Sequence, residues 1–292
     1  MINQQLQSKI DYSIQLIRKA EKTALRYRPE GFFVAFSGGK DSQVLLKLTQ
    51  LAGVHYTAEH RLTTIDPPEN IHFIKQHYPD VVIVRPKLSF WRLCLKYRML
   101  PNRRMTFCCH DQKELVNEHS VTLTGVRRAE SARRSNRPEV YLQTRRRHPE
   151  FTQGTLDEFT KYQEIVVDCL KGKDKLTINP ILYWSDEDVW DFIHHYELPI
   201  NPLYAKGYAR VGCLFCCLAN YKHIKREAEQ YPLYYQAFLR LIARIRKANL
   251  EAKGIDYWAG LTDEEYFWTW AQKKSIDKAR SEIAQGTFVL RP

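Results

Sequence analysis

The residues best suited to chemistry in this chain of 292 residues fall into three groups. One is the string Ser37-Gly38-Gly39-Lys40-Asp41-Ser42. Another is five of the seven cysteines, gathered as Cys108-Cys109 and as Cys213, Cys216 and Cys217. The last is a stretch from 127 to 150 with eight arginines (127, 128, 133, 134, 137, 145, 146, 147) against three glutamates. Glycines let main chain approach an anion closely, and a lysine with two hydroxyls adds charge and donors, so the string suits phosphate. Clustered thiols suit a metal or iron–sulfur centre. The arginine fork matches phosphate or sulfate oxygens in pairs.

These groups need elements to hold them. Phe32 to Phe36 is a continuous apolar run, the pattern of a strand buried on both faces. Val44, Leu45, Leu48 and Leu51 resume helical spacing after the glycine string, and Gly53 stops it. The string thus lies at the carboxyl end of a strand and the amino end of a helix, where open α/β sheets bind ligands. Residues 2–25 read as an amphipathic helix, and Pro67-Pro68 opens another. Val81 to Val84 reads as a further buried strand, Phe90 to Leu95 as a helix, and Val121 to Thr124 as a strand ending at Gly125. Ser185 with Asp186, Glu187 and Asp188 caps a helix whose apolar face is Val189, Phe192, Ile193 and Tyr196. The alternation predicts an α/β fold with a doubly wound, mostly parallel sheet. Strand signals stop near residue 200. Residues 221–250 read as helical, and the aromatic-rich tail from Trp258 to Trp270 is expected to pack back onto the core. The expected division is a nucleotide-binding domain over 1–205 and a mainly helical, cysteine-containing extension over 206–292. Residues 144–162 carry the weakest pattern and read as an excursion.

Composition narrows the classes. Lys and Arg number 45 against 33 Asp and Glu, a formal net charge of +12, which favours a polyanionic partner: a phosphorylated small molecule or nucleic acid. With 44% hydrophobic and 12% aromatic residues the chain is not intrinsically disordered. Seven cysteines, an odd number, argue against a disulfide framework. No run approaches the ~20 apolar residues of a membrane span, and the amphipathic opening is not a signal peptide. A cytoplasmic protein with no membrane partner is expected. Oligomeric state is not legible here.

The glycine string is neither a Walker A loop, which needs Ser or Thr after its lysine where Asp41 stands, nor G-x-G-x-x-G. It resembles the PP-loop, S-G-G-x-D-S, of the adenine nucleotide alpha-hydrolase superfamily, whose enzymes act at the α-phosphorus of an adenylyl group. A zinc ribbon pairs two C-x2-C knuckles ~15–20 residues apart, far closer than Cys109 and Cys213. Adjacent cysteines diverge, so both sulfurs reach one zinc awkwardly. Cys-Cys followed far downstream by Cys-x2-Cys, behind a PP-loop, is similar to the phosphoadenosine or adenosine phosphosulfate reductase family. That resemblance implies a [4Fe–4S] cluster on Cys108, Cys109, Cys213 and Cys216, with Cys217 an extra thiol. It also implies an adenylyl nucleotide (PAPS, APS or ATP, with Mg2+ as a companion ion) on Ser37, Gly38, Gly39, Lys40, Asp41 and Ser42. Gly125 to Arg133 resembles the family's G-x-R-x-x-x-S-x-R segment and adds Gly125, Arg127 and Arg133 or Arg134. Lys40, Asp41 and Arg127 are then the catalytic candidates, Asp41 as a positioning or metal-bridging carboxylate. The likeness runs over residues 30–220 and includes Thr64 to Glu69, Asn179-Pro180-Ile181, Trp184 to Trp190 and Leu198 to Tyr204. Cys94 and Cys169 stand alone and read as core filling.

There is one departure. The family's reductases attack sulfur with a cysteine in a Glu-Cys-Gly type tail, whereas the last cysteine here is Cys217 and the final residues are Gly286 to Pro292. Three readings follow. The first is a phosphosulfate reductase-family enzyme in sulfur metabolism or sulfur transfer, with a thiol or sulfur donor protein as partner. Another is an ATP-pyrophosphatase of nucleic-acid sulfur modification, as in DNA phosphorothioation or tRNA thiolation. The last is a non-catalytic nucleic-acid-binding protein with structural zinc.

Overall fold

The structure, a computed structural model, describes residues 2–114, 120–143, 151–155, 157–162 and 174–288. Arg145, Arg146, Arg147 and Cys169 lie outside the described residues. The chain forms two compact units, both discontinuous in sequence: Met1–Arg61, Pro68–Val84 and Leu115–Val211, then Leu62–Pro67, Arg85–Glu114 and Gly212–Pro292.

The first unit is built on a seven-stranded sheet in the order β3-β2-β1-β4-β7-β5-β6. Its strands are β1 (Phe32–Ala35), β2 (Tyr56–Arg61), β3 (Val82–Val84), β4 (Ser120–Leu123), β5 (Val140–Gln143), β6 (Gln153–Gly154) and β7 (Lys175–Ile178). Strands β3, β2, β1, β4 and β7 run parallel, and β5 and β6 close one edge antiparallel. The mostly parallel α/β class is as the alternation predicts. The order reverses between β1 and β4, and that switch point is where a doubly wound sheet places its ligand site. Helix α1 (Gln4–Tyr27) starts on Asn3, whose side chain accepts from Leu6 N–H, and buries Leu6, Ile10, Leu16 and Ile17. It packs against α2 (Lys40–Ala52), which ends on left-handed Gly53 at φ +67°. Helix α3 (Pro68–His77) opens on the expected proline.

The second unit holds α4 (Phe90–Tyr97) and a short turn, α5 (Phe107–Cys109). The first unit adds α6, described over 157–162, and α7 (Asp186–His195). The second unit continues with α8 (Tyr221–Gln230), α9 (Pro232–Lys253), α10 (Asp263–Gln272) and α11 (Ile276–Ala284). Its core is aromatic: Phe238 lies 5.4 Å from Phe90, 4.8 Å from Phe215 and 6.1 Å from Phe267, centroid to centroid.

One expectation is corrected and another refined. Val81 to Val84 is not a doubly buried strand, because β3 is the sheet's edge and Val82 is 54% exposed. Residues 221–250 are helical as expected, divided into two helices. Tyr231 ends α8, and Pro232, which has no N–H to donate into the preceding helix, begins α9. Within the weakly patterned 144–162 stretch, the described residues form β6 and α6.

Candidate functional site

The glycine string joins β1 to α2. Gly38 takes φ +78°, and a Cβ there would fall 2.2 Å from Asn70 Oδ1, so glycine is needed both for the left-handed turn and for the close approach. Side chains from distant segments fix the turn. Asn201 Nδ2 donates to Gly38 O (2.9 Å) and to Asn70 Oδ1 (2.8 Å), while Asn70 Nδ2 donates to Ser37 O (3.1 Å). Ser37 Oγ donates to Ser42 Oγ (3.1 Å), which in turn donates to Gly39 O (2.8 Å). At the amino end of α2, Lys40 N–H is taken up by Tyr204 Oη at 2.8 Å. Gly125, just past β4, comes so close to α2 that a Cβ would lie 2.9 Å from Asp41 O. The switch point is therefore narrow by construction.

Charge is concentrated beside this turn. Arg127 is fully buried, with Nε donating to Asp41 Oδ1 (2.6 Å), Nη2 to Asp186 Oδ1 (2.6 Å) and Nη1 to Trp184 O (3.2 Å). Lys40, also buried, donates to Asp186 Oδ1 at 2.8 Å and lies 3.6 Å from Asp41 Oδ1. Two cations and two carboxylates thus interlock at the start of α2, where the helix dipole favours further negative charge. Arg134 pairs with Glu130, and burial lowers its pKa, as do the like charges of Arg210, Arg137 and Arg127. The side chain of Arg133 lies outside the described residues.

The hydrogen bond from Lys40, then that from Arg127, hold the Asp186 carboxyl below its ordinary value against the opposing effect of burial. A carboxyl depressed in the folded state contributes stability above its unfolded value, near 3.9, and that contribution disappears as pH falls through the folded value. Asp186→Asn should therefore lower the urea midpoint at neutral pH, and the gap from wild type should narrow progressively at acid pH below the ordinary carboxylate range. An equal gap at neutral and acid pH would remove Asp186 from this pairing.

The cysteines meet in the second unit. Cys108, Cys109, Cys213, Cys216 and Cys217 line one small cavity together with Thr63, Gln112 and Lys113. Phe107 plugs α5 into the interior by stacking on Tyr97 at 4.4 Å. The second cysteine loop is pinned by Leu214 N–H donating to Ile65 O (2.8 Å) and Phe215 N–H donating to Glu227 Oε2 (2.7 Å). Phe215 sits at φ +50°, an unusual conformation for a bulky residue, held by its burial against Phe238 and Phe267. Lys113 Nζ lies 3.4 Å from Cys213 Sγ, and the charge of that sulfur raises the lysine pKa. The Cys108 thiol is pushed up first by its hydrogen bond with Cys109 and then by burial, and Cys213 by burial. Among the described residues, no three His, Cys, Asp or Glu side chains close on a single metal ion. The donor set fits an iron–sulfur cluster, which takes four cysteine thiolates. Cys108, Cys109, Cys213 and Cys216 are the residues that would hold it, and a bound cluster would supply the positive charge that buried thiolates require.

The family model of the phosphoadenosine phosphosulfate reductase domain matches residues 31–219, well over half of the chain. The chain belongs to this family. An uncharacterised protein of Methanocaldococcus jannaschii is 23% identical over 82% of this chain and 46% of its own length. Adenosine 5'-phosphosulfate reductase 1 of Bacillus subtilis is 24% identical over 51% of this chain and 55% of its own. The chain spans about half the length of the curated relatives it matches. Among solved structures, the phosphoadenylyl-sulfate reductase of Candida auris in its phosphate complex is similar at a TM-score of 0.44 and 14% identity, covering 74% of this chain and 98% of that one. The U34-tRNA thiolase of Methanococcus maripaludis with its [4Fe–4S] cluster gives 0.43 and 15%, covering 85% and 81%.

For this family member, the structure brings Ser37 to Ser42, Gly125 and Arg127 to one place, with Arg134 in electrostatic reach of Asp41. It gathers the four cysteines in another. Sequence reading missed the supporting residues. Asn70, Asn201 and Tyr204 brace the loop, Asp186 is an ion-pair partner as well as a helix-cap residue, and Lys113 and Glu227 serve the cysteines. The available signals were two segments that carry the resemblance, Trp184 to Trp190 with Asp186 and Leu198 to Tyr204 with Asn201 and Tyr204.

Proposed function

We propose that this chain is an enzyme that binds an adenylyl nucleotide at the Ser37–Ser42 loop and acts on an adenylyl sulfate or at the α-phosphorus of ATP, in sulfur metabolism or sulfur transfer. One observation carries the reading: Gly38 in a left-handed turn against the amino end of α2, with buried Lys40 and Arg127 interlocked with Asp41. The amino end of α2 suits phosphate oxygens, and Lys40, here paired with Asp186, would offset charge that grows on a leaving group. Asp41 orients Arg127 and stands where a Mg2+ carried by the nucleotide could be bridged. Relatives named adenosine 5'-phosphosulfate reductases support APS as a ligand. In this reading Cys108, Cys109, Cys213 and Cys216 hold a [4Fe–4S] cluster, which when bound supplies redox and electrostatic chemistry.

The test is a nucleotide panel on anaerobically purified protein. ATP, APS and PAPS should each be scored by thermal shift, since a ligand of the native state raises stability by RT ln(1 + [L]/Kd). At least one should raise Tm, and the preparation should be brown with iron and sulfide. Well-folded protein that responds to none of them sinks the reading. The alternative, an ATP-pyrophosphatase acting on nucleic acid, draws on the net charge of +12, and preference for ATP over both sulfates would select it.

A further inference from the structure

The second unit carries an open groove of about 770 Å3 that neither the nucleotide loop nor the thiol cavity uses. Lys96 and Arg98 at the end of α4, Lys253 at the end of α9 and Lys274 after α10 give it four cations. Its described lining includes no Asp or Glu. Lys274 pairs with Glu282, but neither Lys96 nor Arg98 has a carboxylate partner among the described residues. Aromatic rings interleave with these charges. Tyr257 is 47% exposed with the Lys253 ammonium 5.7 Å from its ring centre, and Tyr97 and Trp270 also line the groove.

The groove is held in shape from below. Arg98 sits in the left-handed region at φ +53°, its N–H donating to Cys94 O and Leu95 O. Its own carbonyl accepts from buried Asn249 Nδ2 at 3.1 Å. Trp270 Nε1 donates to Pro101 O at 2.7 Å, and Pro101 also lines the cysteine cavity. The groove and the thiols therefore share a wall. Most of its residues, from 249 to 276, lie beyond the family match at 31–219.

We propose that this groove binds a single-stranded oligonucleotide, with phosphates on Lys96, Arg98 and Lys253 and a base on Tyr257. Cations alone suit any polyanion and rings alone any apolar group. Rings set among unpaired cations match a backbone of phosphates carrying flat bases, the pattern of strand-tracking grooves. An acidic peptide would leave the rings idle. The proposal is independent of which nucleotide the Ser37–Ser42 loop takes.

The test is fluorescence anisotropy of a labelled single strand of about 12 nucleotides with the full, anaerobically prepared chain. Wild-type affinity should fall steeply with salt. Lys96→Ala combined with Arg98→Asn, the latter chosen because asparagine tolerates φ > 0, should weaken binding tenfold or more and reduce the salt slope by about 1.4. Tyr257→Leu should weaken it at least about fivefold with the slope unchanged. The thermal response of these variants to the nucleotide panel should match wild type, which confirms folding and separates this proposal from the loop's. Unchanged affinity in both variants overturns the proposal. So does wild type that responds to a nucleotide but ignores the strand at low salt. Loss of binding only when Arg145, Arg146 and Arg147 are changed to alanine, or displacement of the strand by AMP or by polyglutamate of equal charge, overturns it as well.

Discussion

Replacing Arg127 with methionine is expected to destabilise the first unit by about 3–5 kcal/mol and to remove the thermal response to adenylyl nucleotides. The size follows from burial. An exposed ion pair contributes ~0–1 kcal/mol, because water and salt screen it. Arg127 is not exposed at all, and its three hydrogen bonds reach Asp41, Asp186 and the Trp184 carbonyl. Methionine fills similar space with no donors. Asp41, whose side chain is only 18% exposed, is left with Lys40 at 3.6 Å. Asp186 is 66% exposed and rehydrates readily, so the cost falls mainly on Asp41 and the carbonyl. Arg127→Lys should recover only part, because the three acceptors are reached from three separate guanidinium nitrogens and all the donors of an ammonium radiate from one. Asp41→Asn added to Arg127→Met should give a double variant more stable than the summed singles by at least ~1 kcal/mol. Urea midpoints read this directly, and an Arg127→Met midpoint equal to wild type would falsify the buried-lattice account.

How much of this was legible in the sequence depends on the range of the interaction. The β1–loop–α2 unit announces itself because a continuous apolar run, two glycines and a helical repeat are local signals. Gly38 could be read as a turn glycine, but its clash partner Asn70 belongs to α3 and is invisible without the fold. Likewise Asp186 gives a clear local signal as the first acidic residue after the Ser185 cap. Its pairing with Lys40 and Arg127 is a consequence of topology alone. Lys40 and Arg127 are legible as candidate ligand-facing cations, but their pairing with Asp41 and Asp186 is visible only in the fold. Strands β5, β6 and β7 escaped notice because none offers a continuous apolar run along its whole length: β6 is only two residues long, and Lys-Leu-Thr-Ile follows a highly charged stretch. The edge position of β3 was hidden for the opposite reason, since Val-Ile-Val looks the same at an edge as at the centre. The two cysteine clusters are plain in the sequence and their five thiols line one cavity, but the groups that shape the second loop are polar residues with no spacing rule.

Glu227 shows what such a residue does. Its side chain is 1% exposed, and it accepts the Phe215 N–H at 2.7 Å from the middle of the Cys213–Cys216 loop. Its other oxygen lies 3.0 Å from His223 Nε2. Glu227→Ala strands a buried amide, a cost of about 1–3 kcal/mol, and that penalty falls on a loop already carrying a bulky residue at positive φ. The cheapest relief is for Phe215 to leave its place against Phe238 and Phe267, which swings Cys213 and Cys216 away from Cys108 and Cys109. With the cluster proposed above, the expected result is a several-fold lower iron-to-protein ratio after anaerobic purification. In metal-free protein, Cys213 and Cys216 should react faster with a thiol reagent. Glu227→Gln keeps an acceptor oxygen and should restore both readouts. If the glutamine and alanine variants behave alike, it is charge that matters at this position and the loop-bracing role is wrong. If the alanine variant keeps its iron and its slow thiols, the cysteine loop holds its shape without Glu227, and the aromatic nest around Phe215 carries that task alone.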